Sequence, residues 1–432
     1  MGAPCQSDAV GHQGDPSPTV GAVETDWAGT YVFRAPVVRP TDVEAVRTAV
    51  REATHVRALG TRHTFNGLAE SPGVLLDLTA LPDDVQVRDD GTVSVTAETT
   101  YGALARELHR HGRGLHNLGS LPHISVGGAV ATGTHGSGDA LGVLATAVRE
   151  VELVDADGEL RTVRRDDADG AGLLVALGSV GVVVRLVLET QPTYEVRQDV
   201  YRDLSLAAVV EDPAAVTGAG TSVSVFTRWD GRADAWVKTR LPADVPDTLL
   251  GARRDPVSRD GITDEIQGNV TEQGGAPGPW HERLPHFRHD ATPSNGDEIQ
   301  SEFFVDRADA GAAIAAVAAL GDRIREHLVV SELRTVAGDE LWLSAAHGRD
   351  SLAVHFTWRK TAAARDDALP LVEDALREFR ARPHWGKAHH LGAAELERVV
   401  PRLAEARALF DRWDPRGVFS SPGLVGLGVR SS

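Results

Sequence analysis

Two groupings in this 432-residue chain place chemistry-bearing side chains at telling intervals. The first is the run Gly119 to Gly138, GSLPHISVGGAVATGTHGSG, where glycines alternate with Ser, Thr and His and hardly a charge appears. Glycine permits positive φ and close backbone approach, and successive N–H groups with Ser and Thr hydroxyls can line a phosphate or a polar ring edge. Leu121, Ile124, Val126, Ala129 and Val130 interleave as apolar anchors that a Gly/Ser linker lacks, so the run reads as ordered backbone laid against a ligand. The second grouping is on two expected strands. Alternate strand residues share a face, so Glu332 and Arg334 of Val330-Ser331-Glu332-Leu333-Arg334 project together. In Leu352 to Trp358 the apolar Leu352, Val354, Phe356 and Trp358 take one side and leave His355 and Thr357 on the other. On these residues alone a cavity wall and a solvated strand face with a surface ion pair both stand.

Elements to position these groups can be traced along the chain. Pro40-Thr41-Asp42-Val43-Glu44 is a capping box opening a helix with an apolar side of Val43, Val46, Val50 and Ala53. A strand over His55 to Leu59 then runs into the turn Gly60-Thr61-Arg62-His63-Thr64-Phe65-Asn66, which holds a histidine. Thr92 to Glu98 is a further strand, and Thr100 caps a helix carrying Leu104 and Leu108 that stops at Gly112. Val148 to Val154 and Leu160 to Val163 flank Asp157-Gly158, a hairpin signal. Leu173 to Leu188 is an apolar block broken by Gly178 and Gly181. From Tyr194 the texture changes to mixed strands, a loop-rich region at 240–300 and an alanine-rich helix from Ala308 to His327. Near the end come Pro383-His384-Trp385-Gly386-Lys387 and a helix around Pro401 to Arg412. The fold class is therefore α+β. The expected division is a disordered leader over 1–24, a first domain over 25–193, a second over 194–380 and a C-terminal segment over 381–432.

Composition removes several functions. A net charge of −18, with no Lys/Arg-rich stretch, argues against nucleic acid and anionic membrane as partners. No run of eighteen apolar residues and no secretory signal pattern occurs, so a cytoplasmic protein is expected. The single cysteine, Cys5, lies in the leader, which leaves disulfides and cysteine nucleophiles out of the folded part. A body without Met or Cys would resist oxidation, which suits an enzyme that releases peroxide, although arginine-for-lysine bias explains the composition equally. Lysine survives only at Lys238, Lys360 and Lys387. The loose glycines at Gly423 to Gly428 have no helix after them, His281-Glu282 lacks a second zinc-binding His, and no Walker A motif occurs; no metal site is expected.

In order along the chain, RALGTRHTFN, LGSLPHISVGGAVATGTHGSG, REVELVDADG, GPWHERLPHFR, HFTW and ARPHWGK resemble the vanillyl-alcohol-oxidase-type FAD flavoproteins, and within them the alditol oxidase branch. The resemblance covers nearly the whole chain after the leader. It implies a two-subdomain FAD-binding domain and a cap domain with a mixed or antiparallel sheet. It further implies that Ala58, Leu59, Gly60, Thr61, Arg62, Thr64 and Phe65 wrap the pyrophosphate and that His63 carries FAD covalently on its 8α carbon. A neutral imidazole is a competent nucleophile there, and the bond makes the flavin a stronger oxidant. Ser120, Ser125, Gly128, Thr132, Gly133, Thr134, His135 and Gly136 are implied flavin contacts, with His135 structural. Val182 closes over the adenosine half and His384 reaches the flavin ring. Gly119 is the small residue that admits oxygen.

The resemblance also favours the cavity over the solvated face for the second grouping. Lys387, Arg334 and Glu332 become the catalytic set, and Ser120, Glu332, Arg334, His355, Thr357 and Lys387 bind substrate. The implied reaction is oxidation of the primary hydroxyl of a linear polyol, xylitol or sorbitol, with hydride passing to flavin N5 and O2 reduced to H2O2. An aldonolactone oxidase, a flavin dehydrogenase with another acceptor and a non-catalytic flavin-binding protein are the alternatives. A monomer is expected. Arg62 replaces a small residue of the relatives and Ser421 an asparagine, which marks the His63 turn and one terminal contact as departures.

Overall fold

The computed structural model describes residues 24–259, 261–263, 266–291 and 296–431, so the expected disordered leader lies outside the described residues except for Glu24. Local chemistry sets the first elements. The Asp42 carboxylate, rather than Thr41, accepts from the Ala45 N–H at 2.8 Å and opens the helix Val43–Glu52. Glu44 does not close a capping box; it pairs with Arg47 and Arg51 on the solvent side. Val46 and Val50 are buried as expected, whereas Val43 is 36% exposed, because the cap sits one residue later than the pattern implies. Thr100 does cap the helix Tyr101–Arg110, and Gly112, at φ +69°, lets the chain leave it.

Three sheets of three or more strands organise the rest of the described residues, beside a two-stranded pair of Arg113–Gly114 and Gln191–Pro192. A three-stranded parallel sheet orders Val37–Val38, Val74–Asp77 and Val56–Leu59. A five-stranded antiparallel sheet orders Val85–Val87, Thr92–Thr96, Val182–Glu189, Val148–Val154 and Leu160–Arg164. The Asp157-Gly158 hairpin joins its last pair, with Gly158 at φ +76°. The third and largest sheet has ten strands, with Arg232–Arg240, Ser222–Thr227, Leu328–Val336, Ser351–Arg359 and Glu298–Asp306 adjacent in that order. The fold is thus α+β.

Period-2 alternation divides the large sheet into two faces. Val223, Val225, Val237, Leu333, Leu352, Val354, Phe356 and Trp358 pack against the helices Ala310–Ala318 and Leu369–Leu376. The opposite face carries the polar residues of the site. The expected helix over Ala308–His327 is broken: it runs Ala310–Ala318, then restarts as Gly321–Ile324 and a 3-10 turn. Gly321 marks the break, since a Cβ there would lie 2.4 Å from the Trp229 carbonyl oxygen. The last long helix is Leu403–Trp413. No described helix is long and apolar enough to cross a membrane.

Candidate functional site

A cavity of about 270 Å³ joins the small sheets to the polar face of the large one. Its first wall is the turn after Val56–Leu59. Ala58, Leu59, Gly60, Thr61, Arg62, His63, Thr64 and Phe65 all line it, opposite Ser120, Gly128, Thr132, Thr134 and His135. Its far wall holds Glu332, Arg334, His355, Thr357, His384 and Lys387. Both groupings singled out by sequence therefore meet in one space.

The glycine-rich run divides into residues that face the cavity and residues that shape it. Ser125 does not line the cavity, but its Oγ lies behind the lining, where Cβ atoms added at Gly60 and Gly128 would sit 3.3 and 3.0 Å from it. Gly136 packs against Leu118 and Asn117, leaving no room for a Cβ, and Gly133 turns at φ +69°; neither lines the cavity. Gly119 is buried behind Ser120, near Thr134 and His135. Val182, expected to close over the adenosine half, does not line the cavity either. Its side chain packs with Val46 and Val50 in a separate core, because strand alternation turns it away while Gly181 and Val183 face the cavity.

Arg62 occupies the left-handed region at φ +63°, and its guanidinium is held by Glu24 at 3.0 Å and Asp77 at 3.3 Å. These ion pairs hold the turn that aims His63 inward, where the imidazole stacks on Trp27 at 5.3 Å. Burial first, then Lys387, pushes His63 down to about 4, so the ring is neutral at physiological pH. Both ring nitrogens of His63 and Thr64 Oγ1, all from residues that line the cavity, are buried without a hydrogen-bond partner. Buried polar atoms of this kind call for a partner, and their placement along a backbone-lined groove fits a large polar cofactor such as FAD. Ser421 caps the short helix Pro422–Gly426 by accepting from Leu424 at 3.3 Å, which gives that departure a structural use.

The far wall is an ordered charge array. Glu302, His355 and Glu332 stand side by side in register on three adjacent strands. Arg334 lies between the carboxylates: Nη2 donates to Glu302 at 2.5 Å, Nη1 donates to Ser120 Oγ at 3.1 Å, and Nε is 3.6 Å from Glu332. Despite burial, Arg334 holds both carboxyls well below their ordinary range, and they raise Arg334 in return. The Lys387 ammonium donates to Gln300, lies 3.5 Å from His355 Nε2 and sits 5.6 Å over the Phe65 ring. Burial pulls its pKa down. His355 and His384 are both pushed down to about 3, chiefly by burial, and are neutral. His135 Nδ1 donates to the Gly136 carbonyl at 2.8 Å, and its Nε2 lies 3.3 Å from Glu302.

Sequence reading missed Glu302, Gln300, His286 and Lys238. Glu298, Gln300 and Glu302 alternate in the strand Glu298–Asp306, whose first three residues fall in the expected loop-rich region at 240–300 and whose remainder was assigned no element. His286 lies in the quoted GPWHERLPHFR motif without any periodic signal.

Comparison with known proteins places these features in a wider set. Residues 35–164 match the family model described as FAD binding domain, and 296–425 match that of D-arabinono-1,4-lactone oxidase. An alditol oxidase from a Streptomyces species is 44% identical over 93% of this chain and 98% of its own length. An L-gulono-1,4-lactone dehydrogenase from Mycobacterium tuberculosis is 27% identical over 91% of this chain and 96% of its own. Among solved structures, cholesterol oxidase from B. sterolicum superposes with a TM-score of 0.75 at 17% identity, covering 95% of this chain and 99% of that one, a likeness of fold.

Proposed function

The chain belongs to the alditol oxidase family of FAD-binding flavoproteins, and from that premise we propose that it oxidises the primary hydroxyl of linear polyols such as xylitol and sorbitol to the aldose, with O2 as acceptor and H2O2 as product. The observation that carries this reading is the convergence of Ser120, Glu332, Arg334, His355, Thr357 and Lys387 on the cavity into which His63 points. When bound, FAD supplies a hydride acceptor and a route for the electron pair to oxygen. Gly60 to Phe65 and the Ser125 to His135 backbone would hold it, with His63 as the covalent 8α anchor.

The remaining chemistry belongs to this chain. A carbinol that loses hydride must also release its hydroxyl proton, which passes to solvent, and the cations Arg334 and Lys387 stabilise the alkoxide that develops. Glu332 orients Arg334 and accepts from a neighbouring substrate hydroxyl. Thr357 and Ser120 hydrogen-bond hydroxyls further along the polyol. Such a wall rejects plain alcohols, because its buried polar groups would be left unpaired. Gly119, with no side chain, leaves space behind Ser120 through which oxygen can approach. We place the enzyme in the cytoplasm as a monomer, which gel filtration of the holoenzyme checks.

Peroxide release measured over xylitol, sorbitol and galactono-1,4-lactone tests the substrate class. Faster turnover of the lactone would favour the lactone oxidase reading that the C-terminal family model suggests. Bleaching by substrate without oxygen uptake would instead make the protein a dehydrogenase. Acid precipitation tests the tether: a colourless pellet under a yellow supernatant removes the covalent assignment.

A further inference from the structure

Behind the polar wall, on the same face of the large sheet, stands a lysine that the proposed mechanism leaves unused. Lys238 lies in the strand Arg232–Arg240 and is 1% exposed. It pairs in register with Ser222, whose strand runs beside Leu328–Val336. Its ammonium donates to the Leu284 carbonyl and, at 3.2 Å, to that of Pro285, and lies 2.9 Å from His286 Nδ1. On the other side of the ring, His286 Nε2 is 2.6 Å from Glu332 Oε1, with Ser224 Oγ at 3.4 Å.

Donor and acceptor counting fixes the proton. An ammonium has three N–H groups and no lone pair, so His286 Nδ1 must accept from it. Burial holds His286 neutral, at about 4, and its one ring proton therefore sits on Nε2, aimed at the carboxylate. Phe226 and Trp236 pack on the ring in T-shaped contacts, with centroids at 5.5 and 5.6 Å. The other groups that face it are the charged Arg334, from the strand of Glu332, and the titratable but neutral His355, from the next strand.

We propose that Lys238 and His286 are positioning residues for the reaction: Lys238 locks the Nε2–H tautomer of His286, and that donor holds Glu332 as an anionic acceptor turned toward a substrate hydroxyl. The inference rests on the polyol reading above. Without the lysine cation the imidazole proton is free to move to Nδ1. A ring lone pair would then face a carboxylate oxygen at 2.6 Å, and the carboxylate would rotate away or take up a proton. Either response removes the acceptor that grips the substrate. A lysine that only satisfied the two carbonyls would leave the tautomer indifferent to its removal.

The test uses the holoenzyme with 15N-labelled histidine at pH 6, where Lys238, brought down by burial to about 7, keeps its proton. The His286 signals are assigned by their loss in His286→Asn. Wild type should show the Nε2–H pattern alone, and Lys238→Met should show a mixture. In the same variant KM for xylitol should rise about tenfold or more, with kcat changing less and flavin content unaltered, the scale of one hydrogen bond to a charged group. An unchanged tautomer, or a KM within twofold, overturns the proposal. Should Lys238→Met yield no holoenzyme, His286→Gln and His286→Met decide: the amide can still donate to Glu332, so His286→Met should lose about tenfold more in KM, and equal losses overturn it. If wild type turns over no polyol, the functional reading falls, while the tautomer measurement still decides whether Lys238 sets the ring.

Discussion

Replacing Glu302 with Gln tests whether the charge array is a working part or a packing accident. Glu302 is 1% exposed and meets Arg334, 6% exposed, at 2.5 Å, while Glu332 approaches the same guanidinium only to 3.6 Å. Two such charges interact by about 4 kcal/mol at 4 Å in a medium of effective dielectric constant 20. Removing one partner of a buried pair costs about 3–5 kcal/mol, because the other is left uncompensated. Gln keeps the shape and some hydrogen bonding, and Glu332 retains part of the compensation, so about 2–3 kcal/mol of stability should be lost. If Arg334 also shifts from the alkoxide, a further loss of about 2.7 kcal/mol of transition-state stabilisation slows flavin reduction about 100-fold. Anaerobic stopped-flow reduction by xylitol reads the second effect, and unfolding of the holoenzyme followed by flavin fluorescence reads the first.

The sign of the pH dependence is fixed by the same contact. The folded pKa of Glu302 is held well below its ordinary value, although burial opposes this. Its stabilisation is therefore complete above the unfolded carboxyl value of about 4.3 and fades as pH falls toward the folded one. The Glu302→Gln deficit should be constant between about pH 6 and 8 and should narrow in acid. A reduction rate within threefold of wild type, or a stability deficit that widens on acidification, refutes the reasoning.

Four further outcomes follow from the geometry. Lys387→Met should depress turnover at least about 100-fold with flavin content intact, and should abolish an alkaline limb of kcat/KM lying below the ordinary lysine value, since burial lowers Lys387; unchanged turnover removes its assignment. His63→Ala should leave flavin extractable by acid and lower its midpoint potential, read by dye-linked titration. Gly119→Val should slow reoxidation by O2 but not anaerobic reduction, because its methyls would fill the space beside a Cβ that meets Thr134 at an ordinary 3.6 Å; stopped-flow separates the two half-reactions. Arg57→Met should cost about 3–5 kcal/mol in thermal unfolding, because its buried guanidinium donates to four carbonyls, those of Leu68, Leu177, Gly178 and Phe419.

How much of the site could be read from the chain depends on the range of the signal. Strand alternation is local, and it put Glu332 with Arg334 and His355 with Thr357 on shared strand faces, all four of which line the one cavity. Turn chemistry is local too, and it marked the His63 loop and the glycine-rich run. Boundaries that depend on tertiary contact were misjudged. The alanine-rich helix breaks where Gly321 meets the backbone of Trp229, more than ninety residues earlier, and Val182 turns inward because the five-stranded sheet packs on the helix Val43–Glu52.

Cross-strand register is the signal that a single sequence lacks, and it is what makes the wall an array. Glu302 meets His355, and His355 meets Glu332, only because Glu298–Asp306 pairs with Ser351–Arg359 in one register and Leu328–Val336 pairs with it in another. A slip of one residue in either pairing would send the partner side chain to the helix-packed face. The apolar alternation of Leu352, Val354, Phe356 and Trp358 penalises that slip, since it would bury His355 and Thr357 among the helices and expose two large aromatic rings. Residues that touch no substrate thus specify the spacing of those that do. The same logic reaches Lys238, which shares its face with Trp236 while Ala235 and Val237 anchor the strand from the other side. A substitution such as Val237→Asp should therefore disturb the Lys238–His286–Glu332 contacts through register, well before it meets the cavity itself.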